Sequence, residues 1–197
     1  MKSNVFKVGG SLLDLPDLGE RLHFLLKLFD SDCNLIVAGG GRYVRELESK
    51  KDTLSCTQMH WDSIKIMTDN TLSLKTFFKG STIADSVLVK KQGVFFLDTV
   101  KFCQNDFNLI GGPFLPERND VRSDSIALRV ALRFQFARLF LLKSCDRPNS
   151  NNWEKLSSLN YVDPYFYKLI TTTPNKLDIQ CINLRNLNRI QPFQTID

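Results

Sequence analysis

Seven of the ten glycines in this chain fall in three clusters, Gly9-Gly10, Gly39-Gly40-Gly41 and Gly111-Gly112. The first cluster follows Asn4-Val5-Phe6-Lys7-Val8, a β-branched and aromatic run. It precedes Leu15 to Phe29, where Leu18, Leu22, Leu25, Leu26 and Phe29 recur at helical spacing. The second cluster repeats the arrangement: Leu35-Ile36-Val37-Ala38 is a short apolar strand, and a polar helix runs from about Arg42 to Ser49. Two strand-glycine-helix units in tandem predict parallel strands joined by right-handed helical crossovers. The third cluster, continued by Pro113, lies in turn-rich sequence between Asp98 and Asn119.

The remaining periodicities extend the pattern. His60, Ile64, Met67, Thr71, Leu74 and Phe78 form one mostly apolar stripe, which predicts a long helix over residues 57 to 78 ended by Gly80. Val87-Leu88-Val89 and Val94-Phe95-Phe96-Leu97 read as strands, the first also compatible with a helix end. Ser123 or Asp120 is expected to cap a helix containing Ile126, Leu128, Val130, Ala131 and Phe134. Strands at Arg138 to Leu142 and Ile179 to Leu184 flank a polar loop and a helical turn near Trp153. The expected class is α/β, a three-layer α/β/α sandwich around an open, mainly parallel sheet. At 197 residues, one domain is expected over residues 1–197. A chain of that length keeps roughly 70% of its unfolded surface from water, enough for a core without staples.

Composition excludes several functions. The five cysteines are scattered with no C-x-x-C spacing, and only His23 and His60 could supply imidazole, so neither a disulfide framework nor a zinc site is expected. The net charge of +5 is spread without a dense basic block, which argues against nucleic acid as a partner. Apolar stretches such as Leu139 to Leu142 are too short for a membrane span, and Met1-Lys2-Ser3 leads into a strand instead of a signal-peptide core. The expectation is a cytoplasmic protein with no membrane partner and a small anionic ligand.

Open parallel sheets bind ligands beyond the carboxyl ends of their strands, where these glycines lie. Lys7 places an ammonium at a strand end, Gly9 and Gly10 bare the backbone N–H groups, and Ser11 adds a hydroxyl, a set suited to phosphate oxygens. Gly39, Gly40 and Gly41 followed by Arg42 make a second anion cradle, and two cradles suggest a donor and an acceptor. Taken singly, each is equally a tight turn over the sheet. The P-loop spacing is absent, and the Rossmann fingerprint fails at Val44. His60 lies on the apolar stripe, where packing is the simpler role.

Taken in order, Lys7-Val8-Gly9-Gly10-Ser11, Gly39-Gly40-Gly41 and Ser123-Asp124-Ser125-Ile126-Ala127 resemble signatures of the amino acid kinase superfamily. The closest likeness is to its small archaeal and methylotroph-type kinases related to aspartokinases. It extends through Leu141-Leu142-Lys143-Ser144 and Val162-Asp163-Pro164-Tyr165-Phe166 to Ile182-Asn183-Leu184-Arg185. The resemblance implies transfer of a phosphoryl group from ATP, with Mg²⁺ held mainly by nucleotide phosphates and no protein metal ligand. Residues up to about 115 would hold the acceptor and 116–197 the nucleotide. Lys7 would stabilise the transferred group, Asp124 would orient lysine, Lys143 would meet phosphate or face solvent, and Ser144 and Asp146 would belong to the nucleotide loop. Gly9, Gly10 and Ser11 would line the nucleotide phosphates, and Gly39, Gly40, Gly41, Arg42 and His60 would border the acceptor. In the nearest branch that acceptor resembles an aminomethylfuran methyl phosphate of methanofuran or methylofuran assembly, and a homodimer is the family expectation.

The chain departs from the pattern in lacking a late Gly-Gly-Met-x-x-Lys segment, in carrying Arg122 where threonine is usual, and in having no glycine from Asp146 to Asn152. Those departures leave two other readings, a non-catalytic nucleotide or metabolite-binding protein on the same fold and a kinase for a carboxylate or nucleoside monophosphate.

Overall fold

The computed structural model describes residues 2–50, 52–84, 91–107, 115–173 and 177–187. Its strands are β1 (Ser3–Val8), β2 (Cys33–Ala38), β3 (Thr82–Ala84), β4 (Gly93–Leu97), β5 (Arg138–Lys143) and β6 (Asp178–Asn183). They form one sheet in the order β3-β4-β2-β1-β5-β6, and every pairing is parallel. The helices are α1 (Leu18–Leu28), α2 (Gly41–Glu48), α3 (Cys56–Lys75), α4 (Thr99–Phe107), α5 (Ser123–Arg133), α6 (Trp153–Ser158) and α7 (Pro164–Thr171).

Helices cover both faces, so the central strands are buried on both sides and read as near-continuous apolar runs instead of alternating ones. On one face Val5, Leu35, Val37, Leu139 and Leu141 pack with Ile64 and Met67 of α3, Ile126 and Val130 of α5 and Phe166 of α7. On the other, Phe6, Val8, Ile36, Phe140 and Leu142 pack with Leu18, Leu22 and Leu25 of α1. Each of those three leucines contributes roughly 1.5–3 kcal/mol by leaving water. Among the described residues no helix is long and apolar enough to cross a membrane.

Several boundaries differ from the sequence expectation for local reasons. The run from Leu15 to Phe29 is not one helix: a 3-10 turn at Gly10–Leu12 comes first, and α1 starts after Pro16, which disfavours helical backbone at Leu15. The long helix begins at Cys56 because the Ser55 hydroxyl accepts from the Gln58 N–H, and it ends at Lys75, short of Phe78. Gly80 lies beyond its end, with φ of 76°. Neither Ser123 nor Asp120 caps α5; Arg122 stands at that position, Ser123 is the first helical residue, and Asp120 instead holds the Arg118 guanidinium. The turn-rich reading of residues 98–119 missed α4, whose Lys101 N–H is taken by Asp98 at 3.1 Å. The strand expected at Val87 to Val89 and the Gly111-Gly112-Pro113 turn lie outside the described residues.

Register carries the site. Val8 is opposite Ala38 of β2 on one side and Leu142 of β5 on the other, so the chain leaves all three strands at one level. There the two glycine turns meet backbone to backbone. A Cβ on Gly10 would lie 2.1 Å from the Gly41 nitrogen, and one on Gly39 would lie 2.7 Å from the Gly10 nitrogen. Gly41 also has φ of 62°. These glycines are required first by mutual packing.

Because the obstructing atoms are backbone, Gly10→Ala is expected to lower stability by about 3 kcal/mol. Urea unfolding monitored by circular dichroism measures this, and an unchanged midpoint would mean that the two turns do not touch.

Candidate active site

Beyond the ends of β1 and β5, two ammonium groups converge on one carboxylate. Lys7 Nζ lies 2.9 Å from Asp124 Oδ1, and Lys143 Nζ lies 2.9 and 2.8 Å from Asp124 Oδ1 and Oδ2. The side chains are only 6%, 9% and 12% exposed for Lys7, Asp124 and Lys143. Lys7 reaches the site as the next-to-last residue of β1, Lys143 as the last of β5, and Asp124 from the first turn of α5. The Lys143 ammonium also stands 5.2 Å from the centre of the Tyr161 ring, which favours a cation.

Burial alone would raise the Asp124 carboxyl, but Lys7 and Lys143 outweigh it and hold the group well below the usual carboxylate range. Burial lowers the Lys7 ammonium from its ordinary value, Asp124 opposes that, and the charge of Lys143 adds to it. A second carboxylate stands behind the first. Asp163 accepts from the Ser125 N–H at 2.9 Å, from the Ser125 hydroxyl, and from the Phe166 N–H at the start of α7. Its burial, then the charge of Asp124, raise it to about 6.

The other expected residues divide. Ser11 and Ser144 come together, their hydroxyls 2.8 Å apart, which joins the first glycine turn to the loop after β5. Asp146 accepts from Asn183 of β6 at 2.9 Å. The Gly39 and Gly40 carbonyls accept from Asn70 Nδ2 of α3 at 2.8 and 3.1 Å. Gly9 donates to the Leu142 carbonyl at 2.9 Å, so its N–H is engaged with the sheet and not open to phosphate.

Two cavities flank the glycine junction and share Gly10, Ser11, Gly40 and Arg45. One, about 410 Å³, is bordered by Gly41, Glu48, His60, Ser63, Arg122 and Ser123. The other, about 590 Å³, has a wall of Leu13, Leu15, Leu18, Leu74 and Phe77. His60 is both packed and at the first cavity: its Nδ1 is 3.0 Å from the Arg118 carbonyl oxygen, and burial lowers its pKa against the pull of that carbonyl and of Glu117. Arg42, expected beside His60, instead borders the second cavity and bonds the Tyr43 hydroxyl at 2.8 Å. One helical turn further on, Arg45 takes the place expected of it.

Sequence reasoning missed Arg45, Asn70 and Ser63 as site residues. The signal for Asn70 was present, since a polar pair, Asn70-Thr71, interrupts an apolar stripe; Thr71 accepts from the Ala38 N–H at 3.0 Å. Lys7, Lys143 and the Ser11 and Ser144 hydroxyls are donors of a kind suited to nucleotide phosphates. In the loop after β5, the buried Arg147 Nε has no hydrogen-bond partner among the described residues, and the guanidinium lies 5.1 Å from the centre of the Trp153 ring. Among the described residues no group of three or more His, Cys, Asp or Glu could hold a metal.

In fold the chain is similar to the UMP kinase of Bacillus anthracis, with 14% identity and a TM-score of 0.64 over 94% of this chain and 88% of that one. It is likewise similar to the uridylate kinase of Archaeoglobus fulgidus, at 17% identity and a TM-score of 0.61, over 95% and 94% of the two chains. For the UMP kinase of Ureaplasma parvum the identity is 15% and the TM-score 0.62, over 95% and 92%. No model of a protein family and no curated protein matches the chain. The six-stranded parallel sheet with its helices has the amino acid kinase fold.

The two carboxyls titrate with opposite sign. Asp163, raised from 3.8 to about 6, contributes stability that is full below the lower value and is lost as pH rises through the upper one. Asp124, shifted down, keeps its contribution across that window and loses it only in stronger acid. The stability of the wild type relative to Asp163→Asn should therefore fall by up to about 3 kcal/mol between roughly pH 4 and pH 7. Thermal melts of both proteins across that range test this; parallel curves would mean that the carboxyl is unshifted.

Proposed function

We propose that this chain is an ATP-dependent phosphotransferase acting on a small anionic acceptor, a phosphate monoester. The observation that carries the reading is the pair of buried lysines on one carboxylate, set beyond adjacent parallel strands and beside two cavities that share a glycine floor. Two ammoniums share the Asp124 carboxylate, with Asp163 set behind it, and phosphate oxygens are suited to give each ammonium a further anionic partner.

Bound ATP with its Mg²⁺ would supply the phosphoryl group and additional charge neutralisation. Lys7 and Lys143 stabilise the negative charge that moves among oxygens during transfer, and they need no reorganisation because Asp124 already orients both. Lys143 thus takes the part of the absent late lysine. Ser11 and Ser144 supply hydroxyls at the junction of the two halves, while Arg45 and Arg122 attract the acceptor's charge. A phosphate acceptor at neutral pH is largely deprotonated, so no general base is required.

Two acceptors come first for test. UMP is suggested by the names of the fold relatives, and an aminomethylfuran methyl phosphate by the motif resemblance. ADP release and phosphorus NMR with each acceptor measure transfer. Lys7→Ala is expected to lower kcat about a hundredfold or more with a small change in KM, since the lysine acts on charge developing in the transition state. Equal turnover would remove Lys7 from the mechanism. ATP binding without a phosphorylated product from any acceptor would favour the non-catalytic reading.

A further inference from the structure

The acceptor-side cavity contains its own carboxylate. Glu48, in the last turn of α2, pairs with Arg122 at 2.8 Å, and both residues border the 410 Å³ cavity. Arg122 projects from the start of α5, across the cavity from α2, and its Nε also donates to the Asn119 carbonyl at 3.4 Å. The pair is the ion-paired link across this cavity among the described residues.

Three features make the link exchangeable. The Arg122 and Glu48 side chains are 54% and 34% exposed, and an ion pair so exposed contributes only about 0.2–1 kcal/mol. A carboxylate at the carboxyl-terminal end of a helix is opposed by the helix dipole, so Glu48 gains little from its position apart from Arg122. No residue of α2 is buried, so little packing fixes Glu48 in place. A phosphate dianion, by contrast, offers a guanidinium two parallel charge-assisted hydrogen bonds.

We infer that Glu48 occupies Arg122 in place of the acceptor's phosphate, and that a dianionic phosphate displaces it while a monoanion or neutral ligand does not. The exchange makes Arg122 a specificity-determining residue. The inference rests on the cavity being the acceptor site, and it deepens that reading by defining the acceptor's charge.

The test is calorimetric titration of the full chain with inorganic phosphate at about pH 8, in dilute buffer without nucleotide, where phosphate is mostly the dianion. Acetate serves as the monoanionic control. Glu48→Gln should bind phosphate about two- to fivefold more tightly, the strength of the competing pair, while the wild type, with Glu48 in place, should show no acetate binding. Arg122→Gln should bind it about tenfold more weakly, and the double variant should match Arg122→Gln, since Glu48 has then nothing to occupy.

Unchanged or weaker phosphate binding by Glu48→Gln, an equal gain from that substitution when Arg122 is absent, or no binding by either wild type or Glu48→Gln would each overturn the inference. Thermal melts of the same proteins separate a purely structural pair, which would lower the midpoint and leave phosphate affinity alone. The titration needs no turnover, so a failure of phosphoryl transfer and a failure of the exchange give different results.

Discussion

Everything at the carboxyl edge of the sheet depends on the Asp124 carboxylate standing between two ammonium groups. Without it, Lys7 and Lys143 would bring two like charges into a site with little water, and burial would drive them toward the neutral form. With it, both ammonium groups are held on one carboxylate. A buried ion cluster of this kind is not an economical way to hold a fold together, because desolvation cancels much of the attraction, and apolar residues of similar volume often serve as well. The cluster is more readily understood as preparation for a ligand. Asp163 belongs to the same arrangement: its bonds to Ser125 and Phe166 tie the start of α5 to the start of α7, fixing the turn that carries Asp124.

Much of the architecture was legible because its signals are local. Apolar runs ending in glycine located β1 and β2 and their shared orientation, and the helical stripe located most of α3. The misses have physical causes. Both α4 and α7 are short, and their plainest signals are single aspartates just before them, Asp98 and Asp163, with Pro164 as the first residue of α7. Their apolar faces gain meaning only once the sheet is assembled. At the site, the residue types at strand ends pointed to anions, but the meeting of Lys143 with Lys7 depends on β5 pairing with β1 at a separation of 134 residues, which no local pattern contains. Arg42 is marked by its place next to the glycines and Arg45 is not; a helix turns about 100° per residue, so adjacency in sequence is a poor guide to facing the cavity.

The fold likeness at 14–17% identity indicates how few positions the architecture demands. What it demands is volume on two faces of a sheet and bare backbone where two turns collide, and many sequences satisfy both. Chemistry is more exacting. Asp124 must reach two lysines from a helix whose first turn is anchored elsewhere, which places the burden of specificity on the residues around the cavities, Arg45, Glu48, Arg122 and Asn70 among them.

The backbone contact between the glycine turns also governs how the molecule can adapt. Peptide planes pressed together without intervening side chains leave no slack, so the floor beneath both cavities behaves as one stiff plate. Accommodation of a bulkier guest then falls to α2, the wall that sinks no side chain into the interior. The enclosure is hinged on its lightest panel.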